Sequence, residues 1–268
     1  MEVKRIKFKK LTNTRDLGGF PAADGRRIAY RRLIRSGELK NADPADLEKL
    51  KTEYRLHTVV DLRTDAEREQ SPDPMIEGVA AVILPVLDSS FFGIARDENS
   101  VDAWMKLFDD ESLDPTEIFK EMYRKLTFSD YVRPYYRMFF DTLLKNDSGS
   151  VLWHCSAGKD RAGIAALLIL TALGVPRENM VRDYMMTEHF TKRELRKFYF
   201  MIRFFVRDRR RRKCFRILLG VEEEYVLQLF DIMDKEYGGG LGYLKSFIGL
   251  DDQEIETLRS MYLEGDRV

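Results

Sequence analysis

Val151-Leu152-Trp153-His154-Cys155-Ser156-Ala157-Gly158-Lys159-Asp160-Arg161-Ala162-Gly163, running on into Ile164 to Leu173, is the stretch that decides the fold. Val151 to His154 is short and apolar and reads as a buried strand ending at Cys155. A glycine-containing loop follows, and then an apolar helix that stops at Gly174, a residue favoured just past a helix C-terminus. Strand, loop and helix in that order put Cys155 at the strand end, against the loop amides and the positive end of the helix.

Upstream of this stretch, strand and helix signals alternate. Arg27 to Tyr30 and Leu33 to Ser36 read as an extended pair, and Asp43-Pro44 opens a helix with proline in its first turn. His57 to Leu62 is β-branched and apolar, as in a buried strand. Thr64-Asp65-Ala66-Glu67 fits a capping box opening a short helix, and Val79 to Leu84 forms the next strand, closed by Pro85. This alternation predicts an α/β fold with a central sheet and flanking helices. From about residue 100 to Lys145 the pattern is helical and aromatic-rich. Asp114-Pro115-Thr116-Glu117 marks one helix start, Ser129 or Asp130 marks another that runs through Leu144, and Asn146 to Ser150 is a polar turn. Beyond Gly174 the chain reads as helix: Arg177 to Met186, a basic segment from Thr191 to Arg212, Glu222 to Glu236, a hinge at Gly238-Gly239-Gly240 and a final helix opened by Asp251. No repeat or low-complexity linker divides residues 1–268, so one domain is expected.

A chain of 268 residues with 44% hydrophobic content can bury a substantial core. Lys plus Arg and Asp plus Glu both total 45, so no global field favours nucleic acid or an acidic membrane, and any attraction must be local. The only cysteines are Cys155 and Cys214, which suits a reducing compartment, with Cys214 inert. Met1 to Lys10 lacks the apolar core of a secretory signal. The longest apolar run, Ala162 to Val175, is too short to span a bilayer. A soluble, cytoplasmic protein without a transmembrane segment is expected, signal-less export aside. His57 and His189 are isolated, so no metal and no cofactor are expected.

Hydrolysis of a phosphate ester through a covalent intermediate needs an ionised nucleophile, and a cysteine facing loop amides and a helix N-terminus sits in a potential that favours thiolate. Arg161 follows Cys155 by six positions, so the loop between them can wrap a tetrahedral anion and return a guanidinium to its far side. Donors fixed on the phosphoryl oxygens oppose the charge that grows there in the transition state. Cys-x5-Arg alone is a weak signal. The preceding strand, the Ala157-Gly158 turn and the Arg161-Ala162-Gly163 helix start make it specific.

His154-Cys155-Ser156-Ala157-Gly158-Lys159-Asp160-Arg161-Ala162-Gly163 resembles the signature loop of protein-tyrosine phosphatases, in particular the bacterial tyrosine/serine and lipid phosphatases with Lys-Asp ahead of the arginine. Asn13 to Gly19, Arg35 to Leu39, Val60 to Arg63 and Leu173 to Glu178, with Asp183-Tyr184 following, resemble recurrent blocks of that family, so the likeness covers nearly the whole chain. It implies a phosphatase-type sheet, mixed or parallel, a phosphocysteine intermediate, no metal, and a phosphorylated protein or phosphoinositide as substrate. Ser156, Ala157, Gly158, Lys159 and Ala162 are then expected to line the substrate phosphate. Asp160 is a natural candidate for acid and later base, with Asp61 and Asp88 as competitors. Lys159, at the mouth of the loop, either favours a multiply charged substrate, or only supports the thiolate or lies in solvent. His154 is expected to orient the loop. Arg15 and Asp16, on a neighbouring loop, are expected to brace Arg161 or the sheet, and Asp61 and Arg63 are further supporting positions.

One departure from the family pattern is Ala162, where Ser or Thr usually follows the arginine. Its missing hydroxyl predicts slow breakdown of the phosphocysteine and keeps a second reading open, a phosphate-binding pseudophosphatase. Redox or arsenate chemistry on a similar loop lacks an evident second cysteine. The family likeness also implies a helical lid or rim over residues 187–236. Within it, Arg207-Asp208-Arg209-Arg210-Arg211-Arg212-Lys213 reads either as a solvated helix face or as a rim that attracts phosphorylated ligands. One short basic segment in a neutral chain does not suit nucleic-acid binding.

Overall fold

A computed structural model describes residues 6–87, 110 and 114–265. Its main sheet takes five strands in the order β1-β3-β6-β4-β5: β1 Arg15–Asp16, β3 Leu33–Ser36, β6 Ser150–His154, β4 Leu56–Asp61 and β5 Ala80–Ile83. β6 lies at the centre, parallel to both β3 and β4. β5 is parallel to β4, and β1 closes the other edge antiparallel. The α/β expectation therefore holds, with a mostly parallel sheet. A central parallel strand is covered on both faces, and β6 is buried at every position.

Helix α1 (Pro44–Thr52) begins behind Asp43, whose side chain caps it. Thr64 and Glu67 form the predicted capping box on α2 (Asp65–Gln70). Asp114 caps α3 (Pro115–Phe128). The next helix, α4 (Arg133–Lys145), starts later than Ser129 or Asp130, because Ser129 instead ends α3 and Pro134 sets the new first turn. α5 (Asp160–Ala172) is buried at every residue from Arg161 onward. A helix that is apolar all round belongs inside, and this one packs against β3 and β6.

The remaining helices wrap α5. α6 (Arg177–Phe205) is one continuous helix, where two were expected. It contains no Gly or Pro to stop it at Met186. α7 (Arg209–Leu219) starts at Asp208, whose side chain accepts from the Arg211 amide. α8 (Glu223–Tyr237) ends at Gly238 in the left-handed region, φ 70°. Of the glycines expected as a hinge, Gly238 and Gly239 close the helix end and Gly240 packs against α5. Gly239 N–H closes onto Met233 O, and a Cβ on Gly240 would lie 2.6 Å from Thr171. α9 (Gly240–Tyr243), a π-helical turn (Leu244–Ile248) and α10 (Asp252–Tyr262) complete the layer. The extended pair expected between Arg27 and Ser36 does not form. β2 (Arg27–Ile28) pairs with β7 (Leu263–Glu264) near the other end of the chain.

Charge is buried in the middle of this architecture. Arg15 of β1 and Arg35 of β3, both fully buried, converge on Asp183 of α6. Arg15 Nε donates to Oδ1 at 2.7 Å and Arg35 Nη1 to Oδ2 at 2.5 Å. Arg15 also reaches Asp183 O and Thr187 Oγ1. Burial, then repulsion from Arg35, brings Arg15 down to about 10 against the pull of Asp183. Burial pushes the Asp183 carboxyl up, but the two guanidinium groups outweigh it and hold it below its ordinary value. A depressed carboxyl stabilises fully above the unfolded value and loses that contribution as pH falls through the folded one.

Replacing Asp183 with Asn leaves two buried guanidinium groups short of a counter-charge. Urea unfolding of Asp183→Asn at neutral pH is expected to show a loss of about 3–5 kcal/mol. The gap from wild type should begin to narrow below pH about 4, where the unfolded chain's Asp183 takes up a proton, and close only as pH falls through the depressed folded value. Equal stability of the two proteins at neutral pH would contradict this role.

Candidate active site

The loop from Cys155 to Lys159 hangs between the end of β6 and the start of α5, and its carbonyls point into the protein. Asn13 Nδ2 donates to Ala157 O at 3.0 Å and to Gly158 O at 2.8 Å. Arg35 Nη2 donates to Gly158 O at 2.9 Å and to Lys159 O at 3.1 Å. In a trans peptide the next N–H points opposite to the carbonyl, so the amides of Gly158, Lys159 and Asp160 turn to the other side. The result is a concave set of donors beside Cys155, which is buried, and at the N-terminus of α5. Gly158 has φ 66°, and a Cβ there would lie 2.4 Å from Ser36 O, so only glycine lets the loop approach β3 this closely. Gly163 is less constrained: a Cβ there would lie 3.1 Å from Arg35 Nη2, tight enough to press on that side chain.

Arg161 is aimed by a residue the sequence marked only as a helix cap. Glu67 takes both ends of its guanidinium, Nη1 to Oε2 at 2.6 Å and Nη2 to Oε1 at 2.7 Å. The same carboxylate accepts from Ser156 Oγ at 2.5 Å and from the Thr64 amide at 3.0 Å, so the capping box of α2 also fixes the arginine. Burial pushes Glu67 up, but Arg161, Ser156 and the Thr64 amide outweigh it and hold the carboxyl well below its ordinary range. Burial works to lower Arg161; attraction to Glu67, then to Cys155 and Asp160, raises it above the ordinary arginine value. No described residue accepts the Arg161 Nε–H, so that edge of the guanidinium stays open towards an anion.

Asp160 stands at the first position of α5, partly exposed. Tyr123 Oη donates to its Oδ1 at 2.5 Å and shares a 2.6 Å contact with Tyr184 Oη. Burial, then the charge of Asp160, pushes the Tyr123 phenol well above its ordinary value, so it stays a donor. Lys159 does not line the loop mouth as expected, nor lie in solvent. It is buried, and its ammonium donates to Leu218 O at 2.7 Å and Gly220 O at 2.8 Å, where α7 ends. Four carbonyls at a helix C-terminus lack partners, and a buried ammonium satisfies two of them there. Lys159 also lies over the Phe119 ring, 5.7 Å from its centroid, and 3.5 Å from Asp160 Oδ1.

The other expected residues divide clearly. Ser156 joins the Glu67–Arg161 pair, and Ala162 is fully buried with its carbonyl held by Trp153 Nε1 at 3.0 Å. Arg15 does not brace Arg161; it holds Asn13 Oδ1 at 2.5 Å and so steadies the loop at one remove. Asp16 caps backbone instead, accepting from the amides of Gly18 and Arg31 at 2.8 Å each. Asp61 is locked by Arg63, which grips both its oxygens, and this counts against Asp61 as the acid. Asp88 lies outside the described residues. His154 Nε2 is 2.9 Å from Asp73 Oδ2, close enough for an ion pair though outside hydrogen-bonding directions, and its Nδ1 is 3.4 Å from Cys155 O. Asp61, Asp73 and His154 together have the donor types of a metal site. Arg63 reaches both aspartates, Asp73 at 2.8 Å, and already supplies the positive charge there.

Asn13, Arg35 and Asp183 lie inside sequence blocks that carried the family likeness, although none was read there as a site residue. Glu67, Asp73 and Tyr123 gave no such signal.

A family model described as the tyrosine phosphatase family matches residues 6–264. A Cupriavidus necator protein that carries a tyrosine-protein phosphatase name is 34% identical over 183 residues, 67% of this chain and 62% of that relative, so the match spans less than two thirds of the relative's length. A tyrosine-protein phosphatase of Nostoc commune is 26% identical across 89% of this chain and 76% of its own. The triple specificity protein phosphatase PtpB of Mycobacterium tuberculosis is 26% identical across 87% and 91%. Among solved structures, P. aeruginosa TpbA in complex with pTyr overlays with TM-score 0.28 and 16% identity, over 62% of this chain and 78% of that one. That likeness is too weak to add to the argument. On the family match across nearly its whole length, the chain belongs to the tyrosine phosphatase family.

Proposed function

We propose that this chain hydrolyses phosphotyrosine monoesters through a phosphocysteine formed on Cys155. The observation that carries the reading is the loop whose carbonyls are drawn back onto Asn13 and Arg35, turning its amides towards the space between Cys155 and Arg161. In the first step the Cys155 thiolate attacks phosphorus, the ester P–O bond breaks, and Asp160 gives its proton to the leaving oxygen. In the second step water attacks the phosphocysteine, Asp160 takes a proton from it, and inorganic phosphate and the thiolate are released. Arg161 and the loop amides stabilise the equatorial oxygens in both steps. Tyr123 orients the Asp160 carboxyl group through their 2.5 Å hydrogen bond.

Phosphoserine, phosphothreonine and phosphoinositides extend the substrate range on this reading. The name of the Mycobacterium tuberculosis relative, triple specificity phosphatase, supports breadth. A second reading, phosphate capture with slow turnover, rests on Ala162. Its side chain is fully buried and brings no hydroxyl to the first turn of α5.

Phosphate release from a panel of phosphopeptides and phosphoinositides tests the proposal. Wild type is expected to turn over phosphotyrosine peptide, and Cys155→Ser to release none above background. Asp160→Asn should flatten one limb of the pH–rate profile; a profile with both limbs intact would remove Asp160 from the role.

Glu67→Gln is expected to lower kcat/KM by about 10²-fold, since loss of the bidentate contact lets Arg161 leave its geometry. Urea unfolding run beside it separates misplacement from unfolding, and unchanged kinetics would contradict the aiming role.

Stopped-flow measurements on wild type should show a burst of alcohol release followed by a slow steady phase. Ala162→Thr, or the smaller Ala162→Ser if the buried site rejects threonine, should speed that steady phase. A trace without a burst, or variants no faster than wild type, would show that the missing hydroxyl does not limit turnover.

A further inference from the structure

The hairpin of α6 and α7 ends in an apolar tip set among arginines. At the end of α6, Phe200 is 65%, Phe204 64% and Phe205 83% exposed, with Met201 beside them. Phe200 and Phe204 lie one helical turn apart, with ring centroids separated by 4.6 Å. Between the two helices runs a groove of about 840 Å³, lined by Arg196, Arg203, Arg212 and Arg216 together with Phe200, against only Glu188 and Glu222. Among the described residues no carboxylate pairs with Arg196, Arg203 or Arg216, and the Arg212 side chain reaches only Arg207 O at 3.3 Å. Arg209, Arg210, Arg211 and Lys213 also lie on α7, where Lys213 is 4.0 Å from Asp114 and Arg210 donates to Asp110 O. The chain as a whole is neutral, whereas residues 207–213 carry six basic side chains against one acidic.

We infer that the tip of the α6–α7 hairpin docks onto an anionic lipid bilayer, with Phe200, Phe204 and Phe205 entering the acyl boundary and the groove arginines holding lipid phosphates. Aromatic rings beside arginine on one amphipathic element suit the membrane interface, where the apolar body is buried and the cations meet anionic headgroups. The bilayer is favoured over a protein partner by charge: the groove lining has four arginines against two carboxylates, which suits a surface dense in lipid phosphates. The surface is also tied to the catalytic loop. Lys159 anchors the loop to Leu218 O and Gly220 O at the end of α7, so a docked hairpin fixes how the loop faces the bilayer. On the phosphatase reading, this concentrates the enzyme on phosphate esters in the membrane plane, but the docking itself does not depend on catalysis.

Co-sedimentation of the full chain with phosphatidylcholine vesicles, and with vesicles of equal parts phosphatidylcholine and phosphatidylserine, tests the inference. Binding is expected only to the anionic vesicles, weakening as salt rises. Phe204→Ser/Phe205→Ser should lower the partition coefficient by at least about tenfold. Arg203→Gln and Arg212→Gln should each lower it about fivefold. Cys155→Ser should bind as wild type does, which separates docking from turnover, and the phenylalanine variant should keep wild-type kcat/KM on a soluble phosphopeptide. Equal binding to both vesicle types, or undiminished binding of the phenylalanine variant, would overturn the inference. So would a concentration-dependent dimer in sedimentation equilibrium that the phenylalanine substitutions abolish.

Discussion

A loop that offers its amides to an anion must turn its carbonyls inward, and buried carbonyls need donors. Here Asn13 and Arg35 are those donors, and the buried charges of Arg15 and Asp183 hold them. Arg35 is a guanidinium with no access to water, so it requires Asp183; Arg15 shares that carboxylate and fixes Asn13 in turn. The active-site loop is therefore the end of a chain of obligations that begins on α6, crosses β3 and β1, and returns to Ala157, Gly158 and Lys159. Glycine at 158 is the steric condition for the same approach.

The loop and Arg161 are positioned by separate devices. The backbone is held from below by β1, β3 and α6, while the guanidinium is held from the side by Glu67 on α2. Glu67 closes the capping box with Thr64, so the helix start and the aim of Arg161 share one carboxylate. Lys159 makes a third connection, outward to α7. A side chain expected to meet substrate instead satisfies a helix end, which places the basic hairpin and the catalytic loop in one mechanical unit.

Much of this was legible in the sequence because it is local. Val151 to His154, the loop and the helix up to Gly174 read directly, as did the capping box at Thr64 and the helix starts behind Asp43, Asp114 and Asp251. That Cys155 and Arg161 bracket one loop between a strand and a helix needed only their spacing and flanks. What stayed hidden is set by contacts between distant residues. Nothing near Glu67 indicates that its carboxylate meets Arg161, 94 positions later, and nothing near Arg27 indicates a strand partner at Glu264. The position of Lys159 in its motif suggested the substrate, yet its long side chain follows the orphan carbonyls of α7. Arg15 and Asp16, expected on a loop to brace Arg161 or the sheet, lie instead on strand β1, where Arg15 meets Asp183 of α6 and Asp16 accepts from the amides of Gly18 and Arg31.

The chemical claim that all of this serves is that phosphate passes through Cys155. Acid-quenched mass spectrometry of the Cys155 peptide during turnover of a phosphotyrosine peptide measures that directly. The account predicts one phosphoryl group on Cys155 in wild type, accumulating because Ala162 leaves its breakdown slow, and none in Cys155→Ser. Steady phosphate release with no phosphoryl group ever found on Cys155, or release that continues in Cys155→Ser, would contradict it.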